Sequence, residues 1–426
     1  MKHSLRAFRH RNYRLFFFGQ SLSVIGSWTQ QIAMSWLVYR LTGSAWLLGV
    51  TGFAGQIAIL LFAPFGGIWA DRFDRRKLLI ATQVLAMLQA VVLAVLAYAG
   101  LVAAWHVIVM AAVLGIVMAF DTPIRQSFTF EMVPSRQDLP SAIAFNAAMQ
   151  NGGRMIGPAI AGLLLTVASE AFCFLANGAA KFAVIASLFM MTVAPRAQPR
   201  ATTRLWASFR EGAAYAWNLV PIRFLLPMVA LVSFMVTPYQ TLMPVFAAEI
   251  FAGGADTLGL LMSAAGLGGI IGMVYLASRR DVRGLARWIA LAAGLAGFSA
   301  IAFAYSKILP LSLFIIGITG FGIIVAANSV SQILQTIVED DKRGRVMAFF
   351  VMAFLGMQPL GSLAAGALAS WIGAPHTLAL GGAVTVAGAC LLWRKLPLLR
   401  QHMRPIYMRL GMIEKHPGGP APGRSG

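Results

Sequence analysis

Apolar stretches of about 20 residues recur along the whole chain, separated by short polar or charged connections. A helix rises about 1.5 Å per residue, so a stretch of this length crosses the roughly 30 Å hydrocarbon core of a bilayer. The pattern predicts an all-α integral membrane protein with twelve transmembrane spans. Their approximate limits are 13–39, 46–69, 78–98, 103–120, 141–168, 172–193, 224–247, 257–278, 285–305, 309–330, 346–371 and 377–393.

Composition supports this interpretation. Of the 426 residues, 59% are hydrophobic and only 11% are charged, with a mean hydropathy of +0.75. These values are too apolar for a soluble globular protein. The first residues, MKHSLRAFRHRNYRLFFFGQ, combine a basic lead with an apolar run. That run is too long for a signal peptide and lacks a small-residue cleavage site, so we expect it to remain as the first span.

The net charge of +20 is distributed very unevenly. Thirty of the 34 lysines and arginines fall in the connections on the side of the N-terminus. Only Arg40 and Lys307 lie in connections on the other side, while Arg154 and Lys181 fall inside spans. This asymmetry predicts cytoplasmic termini and a multi-pass protein of the bacterial cytoplasmic (inner) membrane. Because membrane topology accounts for the bases, we expect no nucleic-acid partner.

Motifs for a cofactor or a metal are not found. Cys173 and Cys390 both fall inside predicted spans, where packing is a better interpretation than a disulfide or a metal pair. The six histidines show no ligand spacing, and the chain has no phosphate-binding GxxxxGK[ST] loop. We therefore expect no cofactor and no ATP-driven pump.

The chain also repeats itself at a shift of about 205 residues. GIWADRFDRRK from residue 67 falls on GMVYLASRRDV from residue 272, and the segment 131–145 falls on 336–350. The repeat predicts two six-helix halves. Their expected limits are 1–194 and 224–400, with a cytoplasmic linker over 195–223 that contains an amphipathic helix, and a largely disordered cytoplasmic tail over 401–426.

The loop between spans 2 and 3 has the form GxxxDRxxRR, and it resembles the signature loop of the major facilitator superfamily. Two further segments, FRHRNYRLFFFGQSLSVIGSWTQQIAMSWLVYRLTGSAWLLG and AFDTPIRQSF, are similar to a subgroup that contains enterobactin-type siderophore exporters and bacterial drug exporters. The resemblance implies two pseudo-symmetric six-helix bundles. The family usually has glycine at the position of Asp74, and aspartate adopts a positive φ only at some cost.

In this family the signature loop clamps the two halves together on the cytoplasmic side. The matching residues here are Gly67, Asp71, Arg72, Arg75 and Arg76. The resemblance implies that Asp71 faces the start of span 11 and that the arginines pair with an acid at the cytoplasmic end of span 4. Asp121 is that acid in this sequence. The alternative is a solvated loop that only sets topology.

Span 5 carries GGRMIGPAIAG. Its Gly153, Gly157, Pro158 and Gly162 fit a GxxxGPxxGG pattern associated with antiporters of the superfamily, except that Ala161 holds one glycine position. Small residues also allow close helix packing, so ordinary packing is an equally good interpretation.

Two bases lie deep inside spans, where a charge costs several kcal/mol unless it is paired or faces water. These are Arg154 and Lys181, and the alternatives are pairing with backbone carbonyls for the first and snorkelling for the second. Asn146, Gln150 and Arg154 share one face of span 5, being four residues apart. Gln30, Asn146, Gln150, Arg154 and Lys181 form the predicted substrate cavity. Bases without deep acids favour an anionic or electron-rich substrate.

We expect a monomeric secondary exporter of a bulky organic compound, such as a siderophore, drug or other metabolite, driven by the proton gradient. The absence of a deep carboxylate weakens proton coupling, so a facilitator or importer of a small metabolite stays open. A membrane-embedded enzyme that binds Mg²⁺ through Glu339, Asp340 and Asp341 is a remote alternative, since these acids also suit the start of a helix.

Overall fold

The computed structural model describes residues 6–135, 137–192, 215, 218–279, 282 and 284–409, without the side chains of residues 64, 67, 68, 71, 340 and 341. Its helices are numbered to match the twelve spans, and the two broken spans are divided into parts a and b. They are α1 (Arg11–Thr42), α2 (Ala45–Arg72), α3 (Arg75–Tyr98), α4 (Ala104–Met132), α5 (Leu139–Val167), α6 (Glu170–Phe189), α7a (Val220–Met235), α7b (Tyr239–Val245), α8 (Ala255–Ser278), α9 (Leu285–Tyr305), α10 (Leu309–Ile337), α11a (Asp340–Phe354), α11b (Met357–Ile372) and α12 (Ala374–Arg409). A 3₁₀ turn at Arg6–Arg9 precedes α1, and a π-helical turn at Phe246–Ile250 follows α7b.

The helices form two six-span bundles with matching contacts, which confirms the predicted fold class. In the first bundle α2 packs on α4, and α3 packs on α4 and α6. In the second bundle the equivalent helices do the same, with α8 on α10 and α9 on α10 and α12. The two bundles meet through α2 with α11b and through α5 with α8, which are also related by the repeat.

Ten of the helical segments in the described residues are long and apolar enough to cross a membrane. The two predicted spans outside this set are α1 and α5, although they have 32 and 29 residues. Their length is sufficient, so their polar side chains set them apart. A helix that faces water or polar groups inside a bundle needs less apolar surface than one that faces lipid on all sides.

Two helices extend beyond their predicted ends. The helix α4 continues to Met132, so Asp121 lies inside it rather than at its end. The helix α12 continues to Arg409, so residues 401–409 of the expected tail are helical. Most of the linker expected over 195–223, with its amphipathic helix, and the tail beyond residue 409 lie outside the described residues.

The loop between α2 and α3 forms a tight turn without any positive φ. Asp74 has φ −62° and is the N-cap of α3, where its carboxylate accepts a hydrogen bond from the Lys77 backbone N–H at 3.1 Å. Aspartate is among the preferred N-cap residues, because it satisfies an amide that lacks a helical partner. Aspartate at this position therefore does not strain the turn.

The two ends of the molecule differ in how closely the bundles approach. We call the end that carries the α2–α3, α4–α5 and α10–α11a connections the basic end. At the opposite end, a Cβ added to Gly162 of α5 would lie 3.0 Å from the Gly259 Cα of α8. Likewise a Cβ on Gly49 of α2 would lie 2.9 Å from the Gly366 Cα of α11b. Only glycine permits backbones this close, so the bundles are in direct contact at the opposite end.

A polar contact joins the bundles at the same end. The Tyr39 hydroxyl of α1 donates a hydrogen bond to the Glu249 carboxylate in the π-helical turn. Next to it, Arg40 forms a two-pronged ion pair with Glu170 of α6, with N–O distances of 2.9 and 3.0 Å. The opposite end is thus closed by both packing and hydrogen bonding.

Candidate functional site

A large cavity of about 1570 Å³ lies between the two bundles. Its walls come from α1, α2, α4, α5, α7b and α11, and they extend to the basic end through residues 125–130 of α4 and 344–348 of α11a. Because the opposite end is closed, the cavity opens towards the basic end. Typical small-molecule sites have volumes of roughly 300–1,000 Å³, so this one has room for a bulky ligand.

The charge of the cavity wall has one sign. Among the described lining residues the charged ones are Arg125, Arg154 and Arg345, and none is an aspartate or glutamate. The other polar positions are glutamines, an asparagine, serines and threonines, and most of the wall is apolar. Asp121, buried behind the wall, pairs with Arg125, and the remaining positive charge of the lining concentrates anions in a low-dielectric cavity.

Arg154 lies in this cavity together with the rest of the predicted polar stripe. Asn146, Gln150 and Arg154 all line the wall, as their spacing of four residues on α5 requires. The guanidinium carbon of Arg154 lies 5.8 Å from the centre of the Trp28 ring, within the range of a cation–π contact. No carboxylate among the described residues forms an ion pair with Arg154, which leaves its charge available to a ligand.

Asn146 has a different role, because its amide is already bonded. Its Oδ1 accepts a hydrogen bond from the Tyr13 hydroxyl at 3.1 Å, and its Nδ2 donates to Thr129 Oγ1 at 3.3 Å. These bonds tie α5 to α1 and α4 at the basic end. Asn146 therefore fixes the position of α5 beside the cavity.

Gln30 and Lys181 do not line the cavity, contrary to expectation. Gln30 is fully buried, where it donates to Gln89 Oε1 of α3 at 2.8 Å and accepts from Asn177 Nδ2 of α6 at 2.6 Å. Lys181 is 2% exposed and donates to the hydroxyls of Ser23 and Ser27, each at 2.8 Å. Both side chains lie between helices of the first bundle.

The glycines of span 5 face two different neighbours. A Cβ on Gly153 would collide with Val24, and one on Gly157 would collide with Trp28, so this part of the motif packs on α1. Gly162 instead contacts α8 of the second bundle, and the Pro158 carbonyl lies 2.6 Å from a Cβ added to Gly259. The motif lets α5 pack on its own bundle and on the other one at the same time.

At the basic end the signature arginines of α3 tie that helix to three others of the first bundle, α2, α4 and α6. Arg75 pairs with Glu131 at the end of α4 at 2.6 Å and donates to the Ala70 carbonyl at 2.9 Å. Arg76 donates to the Leu188 and Phe189 carbonyls at the end of α6, at 2.8 and 3.0 Å. Cations at helix C-termini satisfy carbonyls and complement the helix dipole. Arg72 is exposed.

The acid that meets these arginines is Glu131 and not Asp121. Because α4 continues past Asp121, this residue lies deeper, is 1% exposed, and forms an ion pair with Arg125 one turn later at 3.3 Å. Its other oxygen accepts from Thr82 and Gln83 of α3, at 3.0 and 2.7 Å. The side chain of Asp71 lies outside the described part of the chain, as does any contact of Gly67.

Sequence reasoning overlooked two cavity arginines. Arg125 and Arg345 lie in loops according to the predicted span limits, but the structure places both on helices that line the cavity. The i, i+4 spacing of Asp121 and Arg125 was the available signal, since such pairs typically share a helix face.

A family model described as "Transmembrane secretion effector" matches residues 2–407. The staphyloferrin A transporter of Staphylococcus aureus is 30% identical to this chain, over 88% of this chain and 93% of that protein. The macrolide efflux protein A of Streptococcus pyogenes is 25% identical, over 89% and 95%. Among solved structures, nucleoside transporter NupG superposes with a TM-score of 0.71 at 13% identity, over 92% of this chain and 99% of that one, a likeness of fold alone.

Proposed function

The chain belongs to the transmembrane secretion effectors of the major facilitator superfamily, and from that membership we propose that it exports a bulky, anionic or electron-rich organic compound by alternating access. Its relatives are transporters, so the chain is a membrane transporter and not an enzyme. Two of them are named for a siderophore and for macrolides, both of them large organic molecules. The compound exported by this chain is of that kind.

The observation that carries the proposal is the cavity between the bundles. It has a volume of about 1570 Å³ and is lined by three arginines and by no acid among the described residues. A siderophore or drug of several hundred daltons fits such a volume, and its oxygen atoms match guanidinium donors. Trp28, beside Arg154, adds a flat apolar surface for a ring or chain.

The charge distribution supports an orientation in the membrane with which export is consistent. The connections at the basic end hold most of the chain's lysines and arginines, so we assign this end to the cytoplasm and the protein to the bacterial inner membrane. The cavity then opens to the cytoplasm and is closed towards the outside. A substrate would load from the cytoplasm, as export requires, before the bundles rock to the other arrangement.

The signature loop is proposed to hold the basic end together when the transporter is open to the outside. Arg75, Arg76 and Glu131 then form a base on the first bundle. Asp71, whose side chain lies outside the described residues, is proposed to pair with the start of α11a. Beside that start, Lys342 donates to Glu339 at 2.6 Å and lowers the pKa of that carboxyl. Asp71→Asn is expected to depopulate the outward-open state, whereas Asp281→Asn in the second repeat should have little effect.

A facilitator is the second candidate, and one observation favours it. Among the described lining residues no carboxylate is present to exchange a proton within the cavity itself. A facilitator would equilibrate its substrate without regard to the proton gradient. Collapse of the pH gradient in inverted vesicles separates the two candidates, because only coupled export stops.

The test of the exporter function uses inverted membrane vesicles and two probes, staphyloferrin A and a macrolide. Arg154→Ala should reduce uptake of an accepted probe about 30-fold or more, since loss of one partner of a desolvated charge contact costs about 2 kcal/mol or more. Arg154→Lys should retain part of the activity. Lys307→Ala, an exposed base far from the cavity, is the matched control. Undiminished transport by Arg154→Ala at equal expression would remove the arginine from the site.

A further inference from the structure

Lys181 is the most completely buried cation described in the molecule, with 2% of its surface exposed in the middle of α6. Its ammonium group donates to two neutral hydroxyls, those of Ser23 and Ser27. Among the described residues, no carboxylate lies within ion-pair distance. A charged ammonium in a dry membrane interior costs several kcal/mol, and hydrogen bonds to hydroxyls offset only part of this cost.

Of the three charged groups in this region, Lys181, Asp121 and Arg125, only Lys181 has no ion-pair partner among the described residues. The helices packed on α6 are α1, α3 and α5. From α4, Asp121 and Arg125 affect Lys181 electrostatically with opposite signs, the acid favouring the ammonium form and the arginine disfavouring it. These two already form an ion pair with each other. The three groups therefore carry one net positive charge when Lys181 is protonated, and none when it is neutral.

A single residue links Lys181 to the cavity. Ser27 lines the cavity wall, and its hydroxyl oxygen accepts a hydrogen bond from the Lys181 Nζ at 2.8 Å. The same hydroxyl donates to the Ser23 carbonyl at 2.8 Å. To relay a proton, the Ser27 hydroxyl turns from the Ser23 carbonyl towards cavity water, gives its own hydrogen to that water, and takes one from the Lys181 ammonium, which restores the hydroxyl.

We propose that Lys181 is the proton-binding group that couples the conformational cycle to the pH gradient, and that it exchanges its proton with cavity water through Ser27. The inference rests on the proposed transport function and supplies the proton carrier that the cavity wall lacks. On release, the proton passes to water and leaves a neutral amine, whose lone pair accepts from the Ser23 hydroxyl. The described, cytoplasm-open conformation is the one suited to the neutral form.

The sign of the effect follows from burial. A protonated Lys181 needs solvent or a counter-ion, whereas the present packing of α1, α3 and α6 leaves it 2% exposed and with no described carboxylate in ion-pair range. Acid pH should therefore depopulate the cytoplasm-open conformation, and alkaline pH should populate it. This order matches an exporter that takes up a proton outside and releases it inside.

The test measures conformation directly, so it needs no known substrate. Spin labels on Gln137 and Gln335, exposed positions of the two bundles at the basic end, report the separation of the bundles in lipid nanodiscs. The full-length protein carries Cys390→Ser, because that cysteine is exposed while Cys173 is buried. In the protein with Lys181 intact, the share of the long distance should rise with pH along a one-proton titration.

Two substitutions of the lysine should lock opposite states. Lys181→Met carries no proton and should show the long distance at every pH, whereas Lys181→Arg keeps its charge and should show the short one. If Lys181 had a purely structural role, both variants would shift the distance distribution in the same direction, or both would keep its response to pH. Either result would overturn the proposal. Lys307→Met is the control and should titrate like the unchanged protein.

The outcome also separates this inference from the exporter function. If staphyloferrin A or a macrolide is exported under a pH gradient and Lys181→Met exports it equally well, the proton site is refuted and the exporter stands. If neither probe is exported while the lysine variants lock opposite states, the proton site stands and the choice of substrate class fails. Thermal unfolding of both variants in detergent establishes that they are folded.

Discussion

The interiors of the two bundles differ in the polar side chains that they bury. In the α1–α6 bundle the buried polar positions include four glutamines, an asparagine, two acids and a lysine. In the α7a–α12 bundle every described buried polar position, apart from tyrosines, is a serine or a threonine. The repeat at a shift of about 205 residues places Ala326 where the first half has Asp121. Two copies of one architecture have thus diverged inside.

The two kinds of interior are held together by different means. Hydroxyls such as Thr377 and Thr385 donate to the carbonyl one turn earlier on their own helix, so they need no partner from a neighbour. Amides and charges do need such partners, and Gln30 joins three helices for that reason. The first bundle has directional bonds that can break and reform, while the second relies on close packing of small residues.

The largest expected effect comes from removing the buried acid of the first bundle. Asp121→Leu leaves Arg125 without its counter-ion and takes an acceptor from Thr82 and Gln83. We expect a loss of about 3–5 kcal/mol in the free energy of unfolding, the usual result when one partner of a buried pair is removed. The apparent midpoint of thermal unfolding in detergent measures it. Asp121→Asn keeps an oxygen acceptor for Thr82 and Gln83 of α3, so its unfolding free energy should fall less. An unchanged midpoint for Asp121→Leu would show that the first bundle does not depend on its buried polar bonds.

The second bundle should be most sensitive to added volume. A Cβ on Gly320 of α10 would collide with the Ala265 carbonyl of α8. Gly320→Ala should therefore destabilise the protein by about 1–3 kcal/mol, because backbone atoms rather than a flexible side chain must move. Gly152→Ala in the first bundle meets no atom within 4 Å and should be neutral or slightly stabilising. Equal midpoints for the two variants would show that the second bundle is not tightly packed.

The smallest expected difference in unfolding free energy is between variants of two buried neutral polar residues, Gln30 of the first bundle and Ser299 of the second. Gln30→Leu leaves the Gln89 Oε1 without its donor and the Asn177 Nδ2 without its acceptor, and it should cost about 1–3 kcal/mol. Ser299→Ala in the second bundle removes a 2.9 Å bond to Thr319, which still donates to the Ile315 carbonyl. Its cost should be about 0.6 kcal/mol, typical of hydrogen bonds between membrane helices. Thermal unfolding in detergent measures both variants. If Ser299→Ala lowered the free energy of unfolding more than Gln30→Leu does, directional hydrogen bonds would not be more important in the first bundle than in the second.

The fold class was predictable because the bilayer permits few structures. Backbone groups in lipid must bond within their own segment, so long apolar stretches can only be helices. The ends of helices were harder to predict. Asp121 and Arg125 looked like the end of span 4, yet their ion pair and the bonds to α3 let α4 continue to Met132. A charge pattern read along one chain does not show a partner on the next helix.

The same reason limits prediction of the site. The stripe on α5 could be predicted, because four-residue spacing fixes a shared face in any helix. The sequence does not indicate which sides of α1 and α6 face the cavity, so Gln30 of α1 and Lys181 of α6 were expected there. Their burial depends on how α1, α3 and α6 pack together, which is a property of the assembled bundle. The choice of Glu131 over Asp121 as partner for Arg75 likewise depends on the true length of α4.

The glycine contacts between α5 and α8 show which part of α5 can act as a lever. They run from Gly162, about 8 Å from the far end of α5 at 1.5 Å per residue, to Arg154, whose carbonyl lies 3.0 Å from a Cβ added to Gly266. The remaining arm of α5, from Arg154 to Leu139, is about 22 Å long and ends at the basic end. A tilt of one bundle about this line of contact moves Leu139 the most, so a small rotation at the contact produces its largest displacement at the mouth of the cavity.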